Sequence, residues 1–182
     1  MSDSNTTRSF LRGVASAMVF CAEHPEPLEG AEQFLTQVVD VPLLAFDASH
    51  LGVLDSLSQV SDTGLARRFQ NIASTLPWAE SHRMPGMGDK AALCDLNAVF
   101  EFKGIAVGLL YLNKNVEYPQ HDHAPQELYL VLSGTAAWRY GGNEDYKIVP
   151  PGNLIYNQPF DLHGVRNGGA PLVALYVLWG FD

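Results

Sequence analysis

The chain contains little cysteine: Cys21 and Cys94 are the two in 182 residues. A single possible pair provides no disulfide framework, and neither residue lies in a CxxC motif, which argues against a cysteine-ligated zinc site. Free thiols are typical of reducing compartments. We therefore expect a cytoplasmic protein whose stability comes from its apolar core.

Basic residues are also scarce. Lysine and arginine number 11 against 20 aspartate and glutamate, so the formal net charge is −9. This balance disfavours nucleic acid and anionic membrane surfaces as partners. No apolar run is long enough to cross a bilayer. We expect no nucleic-acid partner and no membrane partner. A small ligand is compatible with this net charge, because a local pocket can carry charge of either sign.

The first half of the chain has helical periodicity. Helical candidates are the segment around Phe10–Val19, Leu28–Val38, Leu51–Leu57 and Leu65–Ile72, the last preceded by a possible N-cap at Ser61-Asp62. Pro25 and Pro27 end the first of them. Residues 78–90 lack periodicity and contain proline and glycine, which predicts a loop. We expect a helical extension and linker over residues 1–90 and a β-barrel over 91–182, forming one compact domain.

The second half is typical of an all-β sandwich or barrel, because short apolar runs alternate with glycine and proline turns. Strand candidates are Leu93–Phe100, Ile105–Leu112, Glu127–Leu132, Ala136–Tyr140, Tyr146–Val149, Asn153–Asn157 and Leu172–Trp179. The last of these carries no charge, and Leu128, Leu130 and Leu132 share one face. A solvated exterior would alternate apolar with polar residues. We therefore expect the helices, or a second subunit in a homodimer, to cover this face.

The strongest chemical signal is His121-Asp122-His123 followed by Glu127. Residues two apart on an extended chain point the same way, so the two imidazoles can converge on one ion. The gap to Glu127 lets the chain return a carboxylate from the next strand. Tyr129 shares the face of Glu127, and a glutamate on the inner face of an apolar strand is costly unless it is paired or coordinated.

A fourth candidate ligand is His163, which follows the Gly152 turn and one strand. Mixed histidine and carboxylate ligands suit one divalent transition metal: Zn, Fe, Mn, Co or Ni. The predicted ligands are His121, His123, Glu127 and His163. The sequence leaves the identity of the metal open.

These spacings resemble the two motifs of the cupin superfamily over residues 93–180. The first motif matches at HxH, Glu127 and Gly134, with Asn115 where the leading glycine is expected. The second matches at Gly152, His163 and Asn167, but Gln158 and Phe160 replace the proline and glycine of its internal PxG. The resemblance implies a mainly β fold, a cupin β-barrel (jelly roll) with an N-terminal α-helical extension.

A narrower resemblance is to the cupin-type dimethylsulfoniopropionate (DMSP) lyases of the DddQ and DddL type. It is carried by Leu76-Pro77-Trp78, the run from Tyr118 to His123, the run from Gln126 to Tyr129, and the run from Leu132 to Trp138. This resemblance implies cleavage of a small zwitterionic substrate to dimethyl sulfide and acrylate. It also implies Tyr129 as catalytic base and a contribution from Tyr118. Aromatic faces bind onium groups, and Trp138, Tyr140, Tyr156 and Trp179 are candidate contacts of the sulfonium.

Two alternatives stay open. One is another cupin metalloenzyme, such as an Fe(II) dioxygenase or a sugar isomerase. The other is a metal-bound binding or sensor module without turnover. The shared fold alone does not decide among these functions.

Overall fold

The computed structural model describes residues 4–49, 55, 64–142 and 145–181. Its helices are α1 (Ser4–Cys21), α2 (Pro25–Val38) and α3 (Gly64–Ala73). Its strands are β1 (Trp78–Glu80), β2 (Ala91–Asp95), β3 (Ile105–Leu112), β4 (Glu117–His121), β5 (Gln126–Ser133), β6 (Ala136–Tyr140), β7 (Lys147–Val149), β8 (Leu154–Asn157), β9 (His163–Asn167) and β10 (Leu172–Trp179). The predicted helix Leu51–Leu57, apart from Asp55, and the predicted cap at Ser61-Asp62 lie outside the described residues.

The strands form two antiparallel sheets. One has six strands in the order β1-β2-β3-β10-β5-β8, and the other has four in the order β4-β9-β6-β7. Side chains of both sheets share one buried cluster, so the sheets pack face to face. This arrangement confirms the predicted mainly β jelly roll with an N-terminal helical extension.

The apolar strands of the larger sheet are buried on both faces, as their sequences predicted. Tyr129 and Val131 point between the sheets, whereas Leu128, Leu130 and Leu132 point outward. The outward leucines pack with side chains of all three helices in a second core. The N-terminal helices therefore cover the sheet exterior, and a homodimer stays a prediction. None of the described helices is long and apolar enough to span a membrane.

The strands differ from the prediction in one long boundary shift and in two additional strands, β1 and β4. The strand expected over Leu93–Phe100 ends at Asp95, because the Asp95 carboxylate accepts a hydrogen bond from the Asn97 backbone and starts a 3-10 turn. The predicted loop begins instead with strand β1, which pairs with β2. Strand β4 was not predicted, and it contains Pro119. It lies at a sheet edge, where a missing N–H is tolerated.

Helix α2 reaches the sheet through Gly30. A Cβ atom added at Gly30 would lie 2.5 Å from the Trp179 ring, which is 1% exposed. The absence of a side chain therefore lets the helix backbone rest on this indole. Trp179 is a packing residue of the helix-covered face.

We predict that Gly30→Ala destabilises the protein by about 1–3 kcal/mol, because the new methyl group overpacks the helix–sheet contact. Helix propensity alone would favour alanine by roughly 1 kcal/mol. Gly13→Ala in α1 is the matched control: its Cβ would meet the flexible tips of Leu65 and Arg68, which can move. Urea unfolding of the two variants measures the difference. Equal stability for both would show that Gly30 is not required at this contact.

Candidate metal centre

Two paired strands bring the predicted ligands together. Strands β4 and β9 pair antiparallel with His121 opposite His163. His123 follows β4 by two residues, and the chain then turns into β5, which carries Glu127. One nitrogen from each of the three histidines lies within 4.8 Å of the others. This cluster can hold a metal ion.

Backbone carbonyl groups orient all three imidazoles. Nδ1 of His121 lies 2.9 Å from the Pro119 oxygen, and Nδ1 of His123 lies 2.8 Å from the Pro125 oxygen. Nδ1 of His163 lies 2.7 Å from the Asp161 oxygen. A carbonyl oxygen can only accept, so each Nδ1 carries a hydrogen, and in the neutral imidazole the lone pair is on Nε2. This tautomer is the one that ligates through Nε2.

Glu127 is 3% exposed, and its Oε2 atom is the meeting point of the cluster. The atom lies 3.2 Å from His123 Nε2 and 3.3 Å from His163 Nε2, and it accepts a 2.8 Å hydrogen bond from Asn157 Nδ2. Burial raises the pKa of Glu127, but hydrogen bonds and positive charge from His123 and His163 in their protonated form outweigh burial and lower the pKa to about 2. The carboxylate is therefore ionised at neutral pH.

The donor set fits a transition metal. Nε2 of His163 is fully buried and has no hydrogen-bond partner among the described residues, which is costly for a polar atom. Burial lowers the pKa of His121 to about 4, so its imidazole is neutral, the form that binds metal. A neutral imidazole and an ionised carboxylate are ligands that Zn and Fe accept.

A cavity of about 160 Å³ opens beside the cluster. Its lining includes His121, His123, Glu127, Tyr118 and Tyr129. The predicted tyrosines are thus in the same cavity as three of the four predicted ligands. Burial raises the pKa of both tyrosines, and the Glu127 charge acts in the same direction, so both phenols are protonated in the protein alone.

The two tyrosines are held differently. The Tyr118 hydroxyl forms a 2.7 Å hydrogen bond with Ser81 Oγ. The Tyr129 ring packs against Trp138 and Tyr176, with centroid distances of 5.1 and 5.7 Å. Both rings are therefore fixed at the cavity wall.

The four aromatic candidates for the sulfonium come from both sheets: Trp138 and Tyr140 are on β6 of the smaller sheet, and Tyr156 and Trp179 are on β8 and β10 of the larger one. Trp138 stacks on His163 with 10° between the ring planes, and the Tyr140 hydroxyl donates to Asn157 Oδ1. Tyr156 instead stacks on Trp179 and packs against the helix-covered core. Trp138 and Tyr140 thus lie next to His163 but do not line the cavity of about 160 Å³, whereas Tyr156 and Trp179 pack against the helix-covered core. A larger cavity of about 360 Å³ lies between the α1–α2 connection and β8, and the clustered histidines do not line it.

The motif departures keep the backbone that the motif requires. Asn115 replaces a glycine and has φ 56°, and Phe160 replaces another and has φ 61°. Asparagine tolerates this left-handed region, whereas phenylalanine is strained there. Phe160 N–H donates to the His123 carbonyl, which ties this loop to the HxH segment. Gly134 has φ 74°, and a Cβ there would lie 2.3 Å from the Pro171 oxygen.

Sequence reasoning missed three polar residues at this site. Asn157 lies opposite Glu127 in the β5–β8 register, a pairing that a strand-length prediction does not give. Ser81 and Arg83 lie in the segment predicted as a loop, and Arg83 lines the cavity. A serine and an arginine in a loop give no periodic signal in the sequence. Their position at the site is therefore seen only in the folded turn.

Comparison with known proteins agrees with this geometry. A family model described as dimethylsulfoniopropionate lyase matches residues 44–174. The dimethylsulfoniopropionate lyase DddQ of Ruegeria pomeroyi strain DSS-3 is 29% identical over 83 residues, which are 46% of this chain and 40% of the relative. The chain thus matches less than half the length of that curated protein.

Two solved structures share the fold. A structure described under DMSP lyases RdDddP and RnDddQII has a TM-score of 0.74 at 22% identity and covers 95% of this chain and 93% of its own. The DMSP lyase DddQ from Ruegeria pomeroyi DSS-3 has a TM-score of 0.75 at 17% identity and covers 98% of this chain and 93% of its own. Because the family model matches most of the chain, this protein belongs to the dimethylsulfoniopropionate lyase family.

Proposed function

We propose that the protein is a metal-dependent lyase that cleaves dimethylsulfoniopropionate to dimethyl sulfide and acrylate by base-catalysed β-elimination. The observation that carries the proposal is one cavity lined by Tyr129 and by members of a histidine–carboxylate cluster. Membership of the lyase family supports it. The substrate is small and zwitterionic, which suits a cavity of about 160 Å³.

In this proposal His121, His123, Glu127 and His163 hold one divalent transition metal: Zn, Fe, Mn, Co or Ni. The donors are three imidazole nitrogens with fixed tautomers and one ionised carboxylate. When bound, such a cation would draw charge from the substrate carboxylate, acidify the neighbouring C–H and favour the ionised form of a nearby phenol.

Tyr129 is the proposed general base. In its ionised form, which a bound cation would favour, the Tyr129 phenolate takes the proton from the carbon next to the carboxylate, the C–H electrons form the new double bond, and the C–S bond breaks to release dimethyl sulfide. Packing against Trp138 and Tyr176 holds the ring in place for this transfer. Tyr118, bonded to Ser81, is the second candidate and orients the substrate.

The sulfonium in this proposal rests on aromatic side chains of the cavity. Tyr118, Tyr129 and Tyr176 line it, and Trp138 lies behind His163. An onium group against aromatic faces gains roughly 0.5–2 kcal/mol. We also propose a cytoplasmic location, which the two free thiols support.

The function is tested by adding dimethylsulfoniopropionate to the purified protein and measuring headspace dimethyl sulfide, with acrylate quantified in solution. We expect equal amounts of the two products and no oxygen uptake at an electrode. Oxygen consumption would indicate a dioxygenase. Substrate binding without either product would indicate a binding or sensor module.

Metal content provides a second prediction. We expect one ion per chain in protein purified without chelator, measured by elemental analysis. His163→Ala removes one ligand and should lower metal affinity at least about tenfold, since losing an outer-shell partner alone costs about 10–100-fold. His24→Ala is the control, because His24 precedes α2 and makes no side-chain cap bond. Full occupancy in His163→Ala would remove this residue from the ligand set.

The role of Tyr129 provides a third prediction. Tyr129→Phe keeps the packed ring and removes the hydroxyl, so dimethyl sulfide release should fall ~10²–10⁴-fold. Tyr156→Phe is the matched control, because its hydroxyl bonds to Gln126 and its ring lies on the helix-covered face. Metal content and unfolding of both variants should stay close to wild type. Near-normal turnover by Tyr129→Phe would transfer the role of base to Tyr118.

A further inference from the structure

A turn after strand β1 places Arg83 at the wall of the histidine cavity. Met84 N–H donates to the Ser81 carbonyl at 2.9 Å and closes the turn. Arg83 N–H donates to Ser81 Oγ at 3.3 Å, and that oxygen is bonded to the Tyr118 hydroxyl. Ser81 is 1% exposed, so the arginine backbone is anchored to the buried floor of the site.

The guanidinium of Arg83 has no acceptor within the part of the chain that the structure describes. Among the residues that the structure describes, none accepts a hydrogen bond from it or forms an ion pair with it. Other arginines are engaged: Arg8 and Arg12 donate to backbone carbonyls, and Arg139 pairs with Glu117 at 2.8 Å. Arg83 is partly buried and lines the cavity with its donors available.

The charge of Arg83 acts on the groups around the cavity. Burial is the main cause that raises the pKa of Tyr118, and the Arg83 charge opposes it. Arg83, Tyr118 and His121 line the same cavity. The arginine is therefore close enough to the proposed ligands for its charge to reach them.

We propose that Arg83 binds the carboxylate of the substrate and so sets the direction in which a zwitterion enters the cavity; the proposal builds on the lyase function above. The guanidinium fork matches a carboxylate, with up to two parallel hydrogen bonds. The same positive charge repels a sulfonium, so the reversed orientation is disfavoured. The onium end is then directed to the aromatic side chains Tyr129 and Tyr176, which line the same cavity.

The test separates the two ends of the substrate. Propionate carries only the carboxylate, and ethyldimethylsulfonium carries only the sulfonium. Both are titrated by calorimetry or ligand-observed NMR into metal-loaded wild type, Arg83→Met and Arg83→Lys. We expect Arg83→Met to weaken propionate binding about 10- to 100-fold. Arg83→Lys should lose less, because it keeps the charge without the fork, and ethyldimethylsulfonium should bind as well or better.

Arg12→Met is the control, because Arg12 is exposed on α1 and should leave both affinities unchanged. Propionate binding at wild-type affinity in Arg83→Met, or no propionate binding by wild type, overturns the proposal. Equal weakening of both ligands also overturns it, since that result indicates general damage to the cavity. The titrations measure binding without turnover. Their result therefore tests the role of Arg83 even if the wild-type protein releases no dimethyl sulfide.

Discussion

The site depends on keeping one carboxylate charged inside the protein. Glu127 is almost completely buried, and an isolated buried charge is among the most costly features a fold can contain. Its Oε2 atom accepts a hydrogen bond from the Asn157 amide and lies beside the imidazoles of His123 and His163, which compensate the charge when they are protonated. These partners come from three separate segments of chain. The carboxylate therefore constrains how those segments meet, and a cation at the same point would add to its compensation.

The two-sheet architecture satisfies this constraint through register. Strand β5 presents Glu127 toward the second sheet, and β8 presents Asn157 directly opposite it. Strand β9 begins with His163 at the position paired with His121. A shift of one residue in either pairing would turn these side chains to the other face. The helices contribute indirectly, because their packing on Leu128 and Leu130 buries the outer face of β5 and fixes its orientation.

The sequence was sufficient where local geometry decides the outcome. Alternation along β5 correctly separated Tyr129 from Leu128 and Leu130, and the HxH spacing correctly predicted convergence of two imidazoles. It was insufficient where a tertiary contact decides. Trp179 and Tyr156 belong to apolar strands with two buried faces, so only the docking of α2 shows which face they occupy.

Polar partners outside the motifs could not be predicted from the sequence for a related reason. Asn157 is identified by its register with Glu127, and Ser81 and Arg83 by a turn that the sequence presented as featureless loop. Each of these residues acts through a contact with a distant segment. No pattern within a short window of sequence contains that information, whereas the spacing of His121, His123 and Glu127 lies within one such window.

The two replaced motif glycines show what such a motif specifies. At Asn115 and Phe160 the backbone keeps a positive φ although the glycine is gone. A left-handed conformation costs roughly 1–2 kcal/mol for an ordinary side chain, and such strain persists only where surrounding contacts over-determine it. At Phe160 the contact is its N–H bond to the His123 carbonyl, which joins the loop before His163 to the HxH segment. The motif therefore constrains a backbone path between ligands, and glycine is the easiest residue, though not the only one, to follow that path.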